Sequence, residues 1–298
     1  MTLIGFFGAL ESGLIYGLVA LGVLISFRIL DFPDLTADGS FPLGGAVAGV
    51  AIVAGVNPWL ACFYGAMAGA AAGVVTAWLH VKLGILQLLA SILVMVALYS
   101  VNLRIMGAPN LPLLGEQTVF SPFIADGNGF WVRCVVVGVV VLIAKLFLDW
   151  FFSTESGLSM RATGSNLRMA QAQGINTSWM TILGMAISNA LIALGGALFV
   201  QTQGGADISI GIGTIVIGLA AVIIGETIIP AKRIWLITLA VIVGAFLYKL
   251  FIQIALSSDL LRSIGFGSQD LNLVTALLVV IALVLPQIKA KILSHKGK

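Results

Sequence analysis

Charge is scarce in this chain. Of 298 residues only 9% are acidic or basic, against about 25% in an ordinary soluble domain, so a soluble globular fold is excluded first. Cysteine and histidine are scarcer still. Cys62 and Cys134 sit within or beside apolar segments, so neither a disulfide framework nor a metal cluster is indicated. His80 and His295 both fall at the edges of apolar runs and supply no histidine-based metal site or catalytic dyad. The GxxxxGK[ST] pattern is missing, so the chain does not hydrolyse ATP through a P-loop of its own, and HExxH, CxxC and GxSxG are missing as well. No catalytic residue, metal ligand or bound cofactor is assigned, and an enzyme is not the expected class.

Apolar residues fill the space that charge leaves. Residues of the hydrophobic class make up 60% of the chain, mean hydropathy is +1.12, and apolar runs of membrane-crossing length recur from end to end. The alternation of about ten residues that marks a membrane β-barrel is absent. The expected fold is therefore all-α and polytopic, with about nine transmembrane segments at 3–27, 41–56, 58–79, 83–101, 131–151, 177–201, 209–225, 233–254 and 271–287. The second is too short to cross unaided. The opening MTLIGFFGALESG carries no basic stretch ahead of its apolar run, which fits a retained first span better than a cleaved signal peptide.

The basic residues orient the chain. With the tail lysines 289, 291, 296 and 298 in the cytoplasm, alternating spans bring Lys232, Arg233, Arg161, Arg168, Lys82 and Arg28 to the same side, ten of the fifteen in all. Arg104, Arg133, Arg262 and Lys249 stay outside. This places the N-terminus outside and the C-terminus inside; if 41–56 re-enters instead of crossing, the first span flips and Arg28 moves out.

Glycine is abundant and spaced for helix contact. Gly65, Gly69 and Gly73 form GxxxGxxxG and Gly45 and Gly49 repeat the interval, which lets helices approach backbone to backbone; internal packing is the expected use and a dimer seam the alternative. Polar groups at membrane depth are few and costly. Glu11, Gln87, Asn189, Gln201 and Gln203 are the candidate substrate-pathway residues. Glu11 can equally snorkel to the interface, and Asn189 can serve as a helix–helix hydrogen bond. No acidic row suggests a proton relay.

One segment breaks the pattern. Residues 152–176 include RATGSNLRMAQAQGIN, polar and helix-prone, on the cytoplasmic side by the charge count. Ser165 or Asn166 suits an N-cap and Gly174 a C′ position, with Asn176, Thr177 or Ser178 capping the next span. So short a helix is marginal alone in water. The alternatives are an interfacial connector resting on headgroups and a helix docked into a groove on a partner protein; two basic residues and no strong apolar face make it a poor lipid binder and favour the second.

The run from Gly157 to Glu226, together with 11–49 and 84–115, resembles the permease subunits of bacterial ABC importers, the group that includes branched-chain amino acid and ribose permeases. It is most similar to a subgroup associated with tryptophan and tyrosine uptake. In that family the pattern R-A-x-G-x-N-x-x-x-A-x-x-x-G-I-N is the cytoplasmic coupling loop that meets the ATPase. Here it is Arg161, Ala162, Gly164, Asn166, Ala170, Gly174, Ile175 and Asn176, with Ser165 and Arg168 inside it. The resemblance implies a type II importer fold, a single permease domain over 1–298, and a multi-pass location in the bacterial cytoplasmic membrane. It also implies two ATPase subunits carrying ATP and Mg²⁺, a second permease copy forming a homodimer, and an external substrate-binding protein. Arg104, Arg133 and Arg262 are candidates for docking that protein, or for anchoring at headgroups. Residues 31–45 would form a turn on the cytoplasmic side between broken helices, with Asp34 and Asp38 either capping helices or touching the ATPase. The competing class is an energy-independent channel or secondary transporter; a membrane scaffold is a third.

Overall fold

A computed structural model describes residues 3–123, 129–231, 233–257 and 280. The helices are α1 (Leu3–Val23, continued to Ile29 by a π-helical stretch), α2 (Ala37–Val53), α3 (Pro58–Leu83), α4 (Gln87–Met106), α5 (Gly129–Ser153), α6 (Glu155–Ser165), α7 (Leu167–Ala172), α8 (Thr177–Gln203), α9 (Thr214–Ile228) and α10 (Ile234–Ser257). A short antiparallel ribbon pairs β1 (Asn110–Pro112) with β2 (Gly205–Asp207).

Among the described residues seven stretches are long and apolar enough to cross a membrane: Gly5–Ile29, Pro58–Leu83, Gln87–Met106, Trp131–Ser153, Thr177–Gln203, Ile208–Ile228 and Ile234–Ile254. The expected count of nine is thus approximate. Segment 41–56 corresponds to α2, whose 17 residues span about 25 Å, short of a hydrocarbon core of about 30 Å. Segment 271–287, residue 280 apart, lies outside the described residues, as do the tail lysines.

The shortness of α2 has a structural cause. The end of α1 meets α6, where Ile29 and Leu30 contact Gly164. The chain then turns at Asp31, which takes a positive φ of 52°, and runs back inward without helical structure. By Asp34 it is buried against Asn189, twelve residues or about 18 Å along α8. Helix α2 therefore starts deep in the bundle and ends beside the β1–β2 ribbon, where Gly49 contacts Leu111 and Ala206. The opposite break follows α8. After β2 the 3₁₀ turn Ile208–Gly211 descends until Gly211 meets Asp38, and α9 runs from there to the face where Glu226 pairs with Arg28. Two interrupted crossings thus meet N-terminus to N-terminus inside the protein. Interruption is tolerated there because the freed backbone groups are satisfied by protein.

The glycine spacing serves internal packing. A Cβ at Gly69 would stand 2.3 Å from the Ala193 methyl, and one at Gly73 would stand 2.2 Å from the Met185 carbonyl oxygen; Gly65 faces the Gly44 carbonyl. Helix α3 thus lies on α2 and α8 with backbones nearly touching. Cys62 and Cys134 are free and buried.

Candidate coupling face and buried polar network

Residues 154–176 form two helices, where the sequence suggests one. Thr154 caps α6 by accepting from Gly157 N. Ser165 is the last residue of α6, its hydroxyl donating to the Ala162 carbonyl, so the cap of the following helix falls to Asn166, which accepts from Met169 N at 3.0 Å. Helix α7 closes with a Schellman pattern: Gly174 N donates to Gln171 O and Ile175 N to Ala170 O, with Gly174 at φ 80°. Asn176 then caps α8 through Trp179 N. Three local hydrogen-bond closures hold α7 rigidly on the two longer helices, and Gln171 Nε2 adds a bond to Thr177 Oγ1.

This arm presents a surface and an anchor. Arg161, Ser165, Asn166, Arg168, Gly174 and Asn176 are exposed, while Ala170 is buried beneath them. Leu167 and Met169 are exposed apolar side chains, 52% and 59% accessible, and neither belongs to the coupling-loop pattern. Two apolar groups in an otherwise polar stretch were the available signal. Gly164 faces inward: a Cβ there would be 1.8 Å from the Ile29 carbonyl oxygen. The backbone of α6 therefore rests on the end of α1 with no intervening side chain. Beside this contact a cavity of about 730 Å³ is lined by Arg28, Arg161, Ser165, Glu226 and Pro230 among others. Arg28 Nε bonds Glu226 Oε1 at 2.8 Å across it.

Asn189 is the centre of the buried polar network. Fully buried on α8, it donates to Asp34 Oδ2 at 2.8 Å and accepts from Ser40 Oγ at 2.7 Å. Asp34 Oδ1 in turn accepts from Thr36 N, and Thr36 shares a hydrogen bond with Thr76 on α3. The Asn189 side chain acts here as a helix–helix tie. Asp38 caps α9, accepting from Gly213 N at 3.2 Å and Ile215 N at 2.8 Å. Asp38 is thus a helix cap inside the bundle, whereas Asp34 closes a turn at Thr36 just ahead of α2 and ties it to Asn189. Asp34 is 1% exposed, which removes it from any ATPase surface, and the expected cytoplasmic-side turn is exposed only at Asp31.

The other pathway candidates are not brought together. Glu11 is buried on α1, and Arg133 lies in the first turns of α5. Gln87 begins α4 at the face that carries α6 and α7. Gln201 is pinned near the opposite face, accepting from Val119 N and donating to the Ala197 carbonyl and Cys62 Sγ, while Gln203 is exposed beside it. Arg104 is exposed in the last turn of α4; Arg262 lies outside the described residues. Lys249, counted as external, lies on α10 with Nζ 3.6 Å from the centroid of the Tyr16 ring.

A bundle of long apolar helices, with two broken crossings meeting at its centre and a polar arm on one face, defines a polytopic transport permease. The chain belongs to the family described as branched-chain amino acid transport system / permease component, which matches residues 5–285. It is a membrane subunit of a transport system and not an enzyme. It is 40% identical over 276 residues to the tyrosine transport system permease protein of Clostridioides difficile, covering 93% of this chain and 89% of that one. An uncharacterised protein of Rickettsia prowazekii is 35% identical over 275 residues, 92% of this chain and 95% of its own. A nucleoside ABC transporter permease of Lactococcus lactis is 29% identical over 190 residues, 57% of each. No solved structure matches significantly.

Proposed function

We propose that this chain, as one permease domain over 1–298, is the membrane-spanning subunit of an ATP-driven importer for an amino acid, aromatic in its side chain, delivered by an external substrate-binding protein. The arm α6–α7 receives the stroke of a separate ATPase that carries ATP and Mg²⁺, and a second copy of the chain completes the pathway in the cytoplasmic membrane. The observation that carries the coupling role is the direct backbone contact of Gly164 with Ile29, set beneath an exposed and capped α7. The charge count supports a cytoplasmic arm and an external N-terminus, since Arg28, Lys82, Arg161 and Arg168 share its face. The tyrosine permease relative supports the cargo.

Purification of the tagged chain from its native host tests the assignment. Recovery of a stoichiometric P-loop ATPase, and uptake in proteoliposomes only when that ATPase and MgATP are present, is the expected result. Uptake by the chain alone would overturn it in favour of a channel or secondary transporter.

A further inference from the structure

A second cavity, of about 530 Å³, opens where the two broken crossings meet, bounded by α2, α4 and the turn before α9. It falls within the size range of small-molecule sites. Its polar lining holds one carboxylate, one amide and the hydroxyls of Tyr99, Ser100 and Ser209, and no cationic side chain among the described residues. Asp38 brings a carboxylate, and no lysine or arginine among the described residues lies within ion-pair distance of it. Asn102 is 1% exposed and its Oδ1 has no hydrogen-bond partner among the described residues. The orientation of that amide is fixed, because Nδ2 donates to the Gly39 carbonyl at 3.3 Å, so the unpaired atom is the acceptor. A buried acceptor left open usually signals a missing donor.

The remaining wall is apolar, formed by Met95, Val96, Tyr99 and Ile212. The exposed amides of a half-helix N-terminus would ordinarily favour an anionic group. Here Gly213 N and Ile215 N are already bonded to Asp38, so the protein's own carboxylate occupies that position. What is left for a ligand is the negative charge of Asp38 beside an aromatic face, with the unpaired Asn102 amide oxygen buried in the same wall.

We propose that this cavity is a transit site for the ammonium group of an amino acid, with Asp38 and Asn102 as acceptors and Tyr99 with its apolar neighbours seating the side chain. The cargo's carboxylate stays at the open end. The inference deepens the importer reading and rests on it for the identity of the ligand, but the charge preference of the cavity is testable by itself.

The test uses Tyr99→Cys in the importer assembled with its ATPase and binding protein; Cys62 and Cys134 are buried. Its labelling is compared for a cationic and an anionic methanethiosulfonate, each relative to a free thiol. The cationic reagent is expected to be favoured by at least about tenfold, as one charge a few ångströms away in a medium less polar than water produces. Asp38→Asn abolishes that preference, and L-phenylalanine slows labelling while 3-phenylpropionate, which lacks the amine, does not. Should Asp38→Asn fail to assemble, Asn102→Asp adds a second charge to the same wall and must raise the ratio. Equal rates for both reagents, equal protection by both compounds, or no labelling in an assembled complex would overturn the proposal, the last because lipid or the second copy then seals the face. Loss of protection with ATP-driven uptake intact rejects the site alone; a cation preference in a chain that binds no ATPase rejects the importer reading alone.

Discussion

Adding one methyl group at Gly164 tests whether α6 transmits force by backbone contact. In Gly164→Ala the new Cβ would lie 1.8 Å from the Ile29 carbonyl oxygen, 2.7 Å from the Ile29 carbonyl carbon and 2.9 Å from Leu30 Cα. All three are main-chain atoms, so no side chain can swing aside. Ordinary contact begins at 3.4 Å; α6 must therefore retreat by about 1.6 Å (3.4 − 1.8) or the end of α1 must yield. Overpacking of this kind costs about 1–3 kcal/mol, small enough for the bundle to remain folded with a lowered melting temperature. The arm itself, capped by Thr154 and Asn166, keeps its surface. ATPase binding and hydrolysis should then persist while the stroke is poorly passed on. Coupling terms of about 0.5–2 kcal/mol correspond to a fall of about 2- to 30-fold in molecules moved per ATP. Uptake and hydrolysis measured on the same proteoliposomes give that ratio. An unchanged ratio together with an unchanged melting temperature would refute the contact as the route of coupling.

Other substitutions separate the arm's surface from the bundle's interior. Gly174→Val forces a β-branched residue into φ 80°, a strain of about 1–2 kcal/mol or more, and Arg168→Glu reverses an exposed charge; both should uncouple hydrolysis from uptake, and wild-type stimulation by loaded binding protein in both would show that the arm is misassigned. Asn189→Leu strands the Asp34 carboxylate and the Ser40 hydroxyl and should lower stability in detergent by about 1–4 kcal/mol; a neutral result would mean the network is not closed as described. Gly69→Val meets Ala193 Cβ and the Asn189 carbonyl at 2.3 and 2.4 Å and should prevent accumulation of folded protein, whereas a seam between copies would leave the monomer stable and change only its association, read by light scattering.

The parts of this molecule that sequence predicts well are those whose cause is local. Long spans follow from hydropathy, and the caps at Asn166, Gly174 and Asn176 follow from residue types acting three or four positions away. The glycine interval on α3 is equally local, since one face of one helix carries it. The broken crossings are different. Asp38 finds its partners 175 and 177 residues on, and Asn189 reaches back 155 residues to Asp34, so no window of sequence holds both ends. Gln201 misleads for the same reason: an amide at a span end suits a vestibule, but Val119 and Cys62, 82 and 139 residues distant, claim it. Gly164 shows the limit within a motif. The family pattern marks the position, yet only the approach of Ile29 explains why a side chain is refused there.

If the permease draws its energy through the α6–α7 arm, as proposed, the ATPase must touch α7. A photo-crosslinking residue is placed at Met169, which is exposed at the centre of α7, and a second at Tyr99, exposed about 18 Å along α4 from its start, followed by mass spectrometry of the irradiated membranes. The expected result is a crosslink from position 169 to the P-loop ATPase subunit, with a yield that changes between nucleotide-free and ATP-bound states, and none from position 99 to that subunit. Transport-competent membranes in which position 169 captures only lipid would contradict it.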